Sequence, residues 1–481
     1  MNRQIRRLGL ALLAAFGALF LMMNYVQVFD AHKLANAAGN PRVVVADFSR
    51  PRGDIVSADG VVVAHSVATN DDLKWLRTYP TGPLFAQITG FDSFIYGVQS
   101  GVEQTYNSQL TGRTLPIRHL SQLLTTQETT GTVVLSVSAK LQQAAQQALG
   151  SAAGSVVALD PTTGAILAMY SNPSYDPNPL SSHDTNQERT AWYLYQSNRA
   201  QPMLARSYRR TYPPGSTFKL VDSAAVFDRD PALATKTYPT TRQIQLPQTT
   251  NTLHNYNYEI CGGQLPQLLQ VSCDTGFGQV GLDLGPTNLS GEAAAFGFGQ
   301  APPVDLPYVA PSTFPAESFF TRNQPLLAYA AIGQDVVSAT TLQMALVGAA
   351  LANGGTMMTP HLMTQIRDSQ GNVVQSYTPH PWLHATSAAT ASAVTQMMLL
   401  VTSTGGTAAD LALPNVQVAA KTGTAQTGVH TTDDWMVAFA PANAPKIVVA
   451  VTVPDQAPSA TGDAVAGPIT RAVLTAALGG S

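Results

Sequence analysis

The chain is poor in charge and in cysteine. Only 11% of its 481 residues are charged, and the net charge is −3. Lysine is rare: seven residues, Lys33, Lys74, Lys140, Lys219, Lys236, Lys421 and Lys446, with no Lys/Arg-rich run among them. A nucleic-acid partner would call for a basic stripe, and none is present. No acidic tail, internal repeat or low-complexity tract appears either. HExxH, a P-loop and a GxGxxG at a strand–helix junction are all missing, so nothing points to a metal or a nucleotide cofactor. Only two cysteines occur, Cys261 and Cys273. Two sulfurs without a histidine cluster cannot complete a tetrahedral metal site.

What is present begins with an apolar run. Leu8 to Val28 carries no charge and follows Arg3, Arg6 and Arg7. About 20 apolar residues span a bilayer core, and a basic flank keeps the N-terminus in the cytoplasm. The other reading is a cleaved signal peptide. Its apolar core is usually ~7–15 residues with a small-residue cleavage site, whereas this run continues through Met22-Met23-Asn24-Tyr25-Val26. The run is read as an uncleaved anchor; on either reading the body lies outside the cytoplasm. In an oxidising compartment the neighbouring Cys261 and Cys273 are candidates for a disulfide, the alternative being two buried thiols.

Length and texture suggest an anchor over residues 1–29, an N-terminal domain over 30–130 and a larger domain over 131–481. The Thr/Gln-rich stretch from Leu110 to Gly131 marks the boundary. Ser57-Ala58-Asp59-Gly60 before Val61-Val62-Val63-Ala64 reads as a hairpin, and Gly101–Gly112 as a short helix. Beyond the boundary, Ala139 to Gly150 reads as a helix. Ser155–Leu159 and Ala165–Met169 read as a hairpin over Asp160-Pro161-Thr162-Thr163-Gly164. Tyr175 to Arg210 reads as irregular, and 216–355 as mainly helical. Val416–Ala420, Trp435–Ala440 and Lys446–Val453 read as closing strands, and Ala464–Leu478 as a terminal helix.

Three short segments carry chemistry. Ser216-Thr217-Phe218-Lys219 follows Pro213-Pro214-Gly215, so Ser216 can open a helix. Positions i and i+3 share a helix face. A serine hydroxyl needs an adjacent base, and a lysine serves if its pKa falls to roughly 7–8. Lys421-Thr422-Gly423-Thr424 follows a strand. There a lysine and two hydroxyls can bind a carboxylate, and the glycine lets another backbone approach. Ser272-Cys273-Asp274 lies between them, 56 residues after Ser216. Its serine can pass a proton, or the segment can simply cap a helix. Each segment alone recurs by chance. Together and in this order they match the set Ser-x-x-Lys, Ser-Asp-Asn, Lys-Thr-Gly of penicillin-interacting serine enzymes.

From about residue 50 onward the chain resembles a class B penicillin-binding protein. The resemblance rests on RPRGDI, GVEQTYNSQLTG, VVALDPTTGAILAMYSNPSYDPN, YPPGSTFKL, IGQDVVSATTLQMALVGAALANGG and AAKTGTAQ. Within that class it is most similar to the actinobacterial penicillin-binding protein A group. It implies an α/β (α+β) transpeptidase fold: an antiparallel sheet flanked by helices and an all-helical subdomain carrying Ser272. A β-containing pedestal with a dimerisation-like domain and one transmembrane helix would precede it. It implies a peptidoglycan D,D-transpeptidase in which a D-Ala-D-Ala stem peptide acylates Ser216, D-Ala leaves and a neighbouring stem's amine attacks. β-Lactams would acylate the same serine. By motif, Ser216 is the nucleophile, Lys219 its base and Ser272 a proton shuttle. Lys421, Thr422 and Thr424 clamp a carboxylate, and the N–H groups of Ser216 and Thr424 form the oxyanion hole. The implied partners are peptidoglycan stem peptides and a multi-pass glycan polymerase. A β-lactamase, a D,D-carboxypeptidase, a bifunctional synthase and an idle scaffold or β-lactam sensor are the competing readings.

One position departs from the family's pattern. Asp274 stands where the middle motif usually has Asn. An ionised carboxylate only accepts hydrogen bonds, and beside two lysines it favours their charged forms. The expectation is a shifted proton inventory. Trp435 reads as the start of a strand near the site, and His254 and His430 as loop residues.

Overall fold

The computed structural model describes residues 2–30, 48–112, 130–428 and 430–479. The boundary segment expected between Leu110 and Gly131 falls largely outside the described residues. A helix at Asn2–Tyr25 begins the chain, and Arg3–Val28 is long and apolar enough to cross a membrane.

The larger body is built on a five-stranded antiparallel sheet. Its order is Ala419–Gln426, Thr432–Ala440, Ile447–Gln456, Gly154–Leu159, Ile166–Asn172. The unbroken apolar runs of the middle strands have a simple cause. Thr432–Ala440 is buried at every position, because helices cover both faces. Ala139–Leu149 and the terminal helix Gly462–Leu478 lie on one side. The other side is covered by Thr341–Ala352, buried at nearly every residue, as its all-round apolar sequence demands. At Gly462 a Cβ would sit 2.3 Å from the Gly423 carbonyl oxygen and 2.4 Å from that of Trp435. Only glycine lets the terminal helix start hard against these two strands.

Residues before and after 130 share a second sheet. Its order is Val373–Ser376, Met363–Arg367, Thr132–Leu135, Ile55–Val56, Val62–Ala68, Trp75–Thr78. Val133 pairs in parallel with Ile55 and antiparallel with Ile366. The expected hairpin is present, with Ser57–Gly60 as its turn. Its Asp59 accepts from the amides of Ala139 and Lys140, capping the next helix. Behind this sheet Glu103 is fully buried among arginines. Arg52 donates from Nε and Nη2 to Glu103 Oε2 (3.1 and 2.8 Å) and approaches Asp92 at 3.3 Å. Arg77 Nε donates to Glu103 Oε1 at 2.6 Å.

Two local expectations change. The stretch 175–210 contains a helix, Thr185–Ser197, capped by Asp184. It buries Glu188 and Ala191, so it shows no apolar stripe. The last motif lies inside a strand, Ala419–Gln426, and not beyond one. The strand continues because it pairs along its whole length with Thr432–Ala440.

Candidate active site

The turn that carries Ser216 is locked from both sides. Gly215 has φ +53°, a conformation natural to glycine, and its N–H donates to the Gly333 carbonyl at 2.9 Å. A Cβ on Gly423 would lie 2.9 Å from the Pro214 carbonyl oxygen. The glycine of the third motif thus lets the turn seat on the strand. Trp435, fully buried on the neighbouring strand, donates Nε1–H to the Pro213 carbonyl at 2.8 Å. Phe218 stacks on Phe314 behind the turn. Gly215–Phe218 forms a 3-10 turn that runs into the helix Lys219–Arg229. Ser216 is thereby held half-buried on the wall of a cavity of about 690 Å³, with Ser272, Asp274, Thr422 and Thr424 on the same wall.

Behind Ser216 two lysines converge on one hydroxyl. Lys219 Nζ donates to the Ser272 carbonyl (2.7 Å), to Asp274 Oδ1 (2.7 Å) and, at 3.3 Å, to Ser272 Oγ. Lys421 Nζ donates to Ser272 Oγ at 2.8 Å and to the Thr422 carbonyl at 2.9 Å. A hydroxyl has two acceptor lone pairs and one proton. With both lone pairs engaged, Ser272 keeps its proton for another partner. Ser272 has φ +58°, an uncommon strain for a serine. It sits between the helices Leu265–Gln270 and Asp274–Ala295, in a subdomain that is not all-helical as expected, since the short paired strands Tyr238–Thr241, Gln243–Gln245, Thr252–His254 and Cys261–Gly263 belong to it. A disulfide between Cys261 and Cys273 ties this loop to the strand Cys261–Gly263.

The charges are set by burial. Both lysines are fully buried. Burial pushes the Lys219 ammonium down, against the pull of Asp274 and Asp222. Burial and then the neighbouring Lys219 push Lys421 well below the ordinary lysine value, again against Asp274. The carboxylate of Asp274 thus favours the charged forms, as its chemistry requires, but desolvation outweighs it at both lysines. Asp222, one turn along the Lys219 helix, is fully buried and pushed well above the carboxylate range by burial.

Ser216, Lys219, Ser272, Asp274, Lys421, Thr422, Gly423 and Thr424 therefore meet in one place. Thr422 Oγ1 is bonded to Thr407 Oγ1 at 2.8 Å. Thr424 Oγ1 accepts from the Gly462 N–H at 3.0 Å. His254 also lines the cavity, stacked on Tyr258 with centroids 4.4 Å apart, while His430 is exposed. Trp435, which the sequence offers as the start of a strand near the site, pairs with Gly423 of the third motif and so comes to hold the turn that carries Ser216. Among the described residues no group of three or more His, Cys, Asp or Glu could hold a metal.

The profile of the penicillin binding protein transpeptidase domain matches residues 154–475, and that of the penicillin binding protein A dimerisation domain matches 52–134. The peptidoglycan D,D-transpeptidase PbpA of Mycobacterium tuberculosis is 37% identical over 100% of both chains. Penicillin-binding protein A from M. tuberculosis, solved as a ceftriaxone acyl-enzyme, superposes with a TM-score of 0.83 at 35% identity, covering 90% of this chain and 100% of that one. Its penicillin G acyl-enzyme gives 0.81 at 36% identity, covering 89% and 100%. With a seryl-lysyl site of this geometry on this fold, the chain belongs to the penicillin-binding transpeptidase family.

Proposed function

We propose that the protein is a peptidoglycan D,D-transpeptidase that cross-links stem peptides through an acyl-enzyme on Ser216 and is inhibited covalently by β-lactams. The observation that carries this reading is the convergence of Lys219 and Lys421 on Ser272 Oγ beside Ser216. The relatives bear it out in kind: their names state the reaction, and their structures are β-lactam acyl-enzymes.

In this reading Ser216 Oγ attacks the carbonyl of the donor's penultimate D-Ala. Neutral Lys219 takes the hydroxyl proton, and burial, by pushing its ammonium down, favours that neutral form. The N–H groups of Ser216 and Thr424 stabilise the oxyanion. The peptide C–N bond breaks, and the leaving D-Ala amine receives a proton relayed through Ser272. Lys421 with the hydroxyls of Thr422 and Thr424 holds the donor's terminal carboxylate. The acceptor amine then attacks the ester and gives its proton back along the same path, and Ser216 is regenerated. A β-lactam follows the first half only, since its leaving amine stays tethered in the opened ring.

The apolar helix anchors the chain, with the arginines Arg3, Arg6 and Arg7 on the cytoplasmic side and the catalytic body outside. A disulfide beside the site suits that compartment. Residues 1–29 serve as anchor, 30–130 as pedestal and 131–481 as the transpeptidase domain, with Thr132–Leu135 stitched into the sheet of both. The acceptor strand's glycan is supplied by a multi-pass polymerase working alongside.

Intact-mass spectrometry after benzylpenicillin treatment tests the reading. A single adduct that maps to Ser216 and persists for many minutes is expected, and Ser216→Ala should show none. Rapid hydrolysis of the adduct, or labelling that survives Ser216→Ala, would overturn it.

A further inference from the structure

Asp434 is fully buried one strand away from the nucleophile. It stands directly opposite Thr424 in the sheet register. Directly opposed residues of an antiparallel pair share a face, so its carboxyl lies on the side where the terminal helix begins. Two hydroxyls are near it, and both have other commitments. Thr432 Oγ1 donates to the Ala457 carbonyl at 3.1 Å. Thr424 Oγ1 accepts from the Gly462 N–H. Both hydroxyls lie within interaction range of the Asp434 carboxyl, yet neither of its oxygens receives a hydrogen bond of regular geometry. A buried carboxyl in that state is costly and calls for an explanation.

The competition at Thr424 supplies one. The hydroxyl has a single proton to give once Gly462 has filled one of its lone pairs. Two carboxylates want that proton: the donor's terminal carboxylate in the cavity, and Asp434 on the neighbouring strand. We infer that Asp434 is a positioning residue for the Thr424 hydroxyl: neutral, it leaves Thr424's proton to the substrate carboxylate, and ionised, it takes that proton and adds like-charge repulsion. The inference rests on the transpeptidase reading and deepens it, because it makes donor capture depend on the state of one carboxyl.

The surroundings set the direction. Burial raises the Asp434 carboxyl to about 7, the Thr424 hydroxyl opposes this, Asp433 adds to it and Thr432 opposes it. The other charged or titratable groups on the elements packed around it are Lys421 on the partner strand, Asp455 on the next strand, Asp463 at the start of the terminal helix, with Asp410 beside it, Arg471 farther along that helix, and exposed His430 in the preceding loop. Asp433 points to the opposite face and accepts from the Asp455 N–H at 3.2 Å. Asp434 therefore carries its proton below about pH 7 and loses it above. Carboxylate capture is stronger on the acid side.

The test compares Ser216 acylation by benzylpenicillin and by its methyl ester, which lacks the carboxylate, in wild type and Asp434→Asn. The ratio of the two second-order rate constants cancels the proton chemistry common to both probes. From pH 6 to pH 8 the wild-type ratio should fall about tenfold more than that of Asp434→Asn, the worth of one hydrogen bond to a charged group. The same pH course in both proteins would overturn the inference. Should the variant fail to fold, an identical pH course for acid and ester in the wild type would do the same. Ser216 adducts forming at every pH keep the transpeptidase reading intact in either case; no adduct with either probe would remove that reading and the inference with it.

Discussion

Two buried charge clusters divide the molecule. In the N-terminal region Arg52 and Arg77 enclose Glu103, with Asp92 alongside: two cations and two carboxylates. At the active site Lys219 and Lys421 share one carboxylate, Asp274, through Lys219 alone. The first cluster is balanced and built from a cation that never gives up its proton. Against its burial, Arg77 and Arg52 hold the Glu103 carboxyl below the usual range. The second cluster is short of negative charge and built from a cation whose pKa moves readily, and both lysines are pushed down. The same cost of burying charge thus yields a rigid strut in one place and a reactive base in the other.

The sharpest way to separate them is to remove one member of each. Lys219→Met should slow Ser216 acylation by roughly 10²–10⁴-fold, the range of a lost general base, with a smaller loss of stability than in the N-terminal cluster, because the Asp274 side chain keeps 19% exposure to water. Glu103→Gln should do the reverse. It leaves two buried guanidiniums with the Asp92 carboxylate alone and should cost about 3–5 kcal/mol in chemical denaturation, with the acylation rate of the folded fraction unchanged. If Glu103→Gln slowed acylation without lowering stability, the division into strut and base would fail.

Asp274→Asn probes the smaller imbalance. Asp274 raises the Lys219 pKa against burial, so its loss leaves only the pull of Asp222 against burial. The neutral base then exists at lower pH, and the acid limb of the acylation profile moves to lower pH, with a few-fold faster acylation near pH 6. A profile identical to wild type would show that this carboxylate does not steer the proton traffic.

The reactive cluster was more legible in the sequence than the strut. Ser216, Lys219, Ser272 and Lys421 lie in motifs whose order is informative, and the middle strands of the main sheet announce themselves as unbroken apolar runs. Arg52, Arg77 and Glu103 are scattered over 51 residues and meet only through tertiary packing. The shared sheet was equally hidden, since Val133 pairs with Ile366 across more than two hundred residues. The helix Thr185–Ser197 escaped because it buries Glu188, which accepts from Ser93, where an apolar residue would have drawn the eye. Asp434 falls just outside the strand that the sequence starts at Trp435, whereas the strand begins at Thr432. Its meaning appears only once the register sets it opposite Thr424.

The most direct test of the account is the pH course of Ser216 acylation by benzylpenicillin between pH 5 and pH 10, followed by intact mass in wild type and Lys219→Met. The account predicts that the wild-type rate rises on a limb centred below 10.5, the ordinary lysine value, and that the limb vanishes with Lys219. A limb near the ordinary lysine value, or one that survives Lys219→Met, would contradict it.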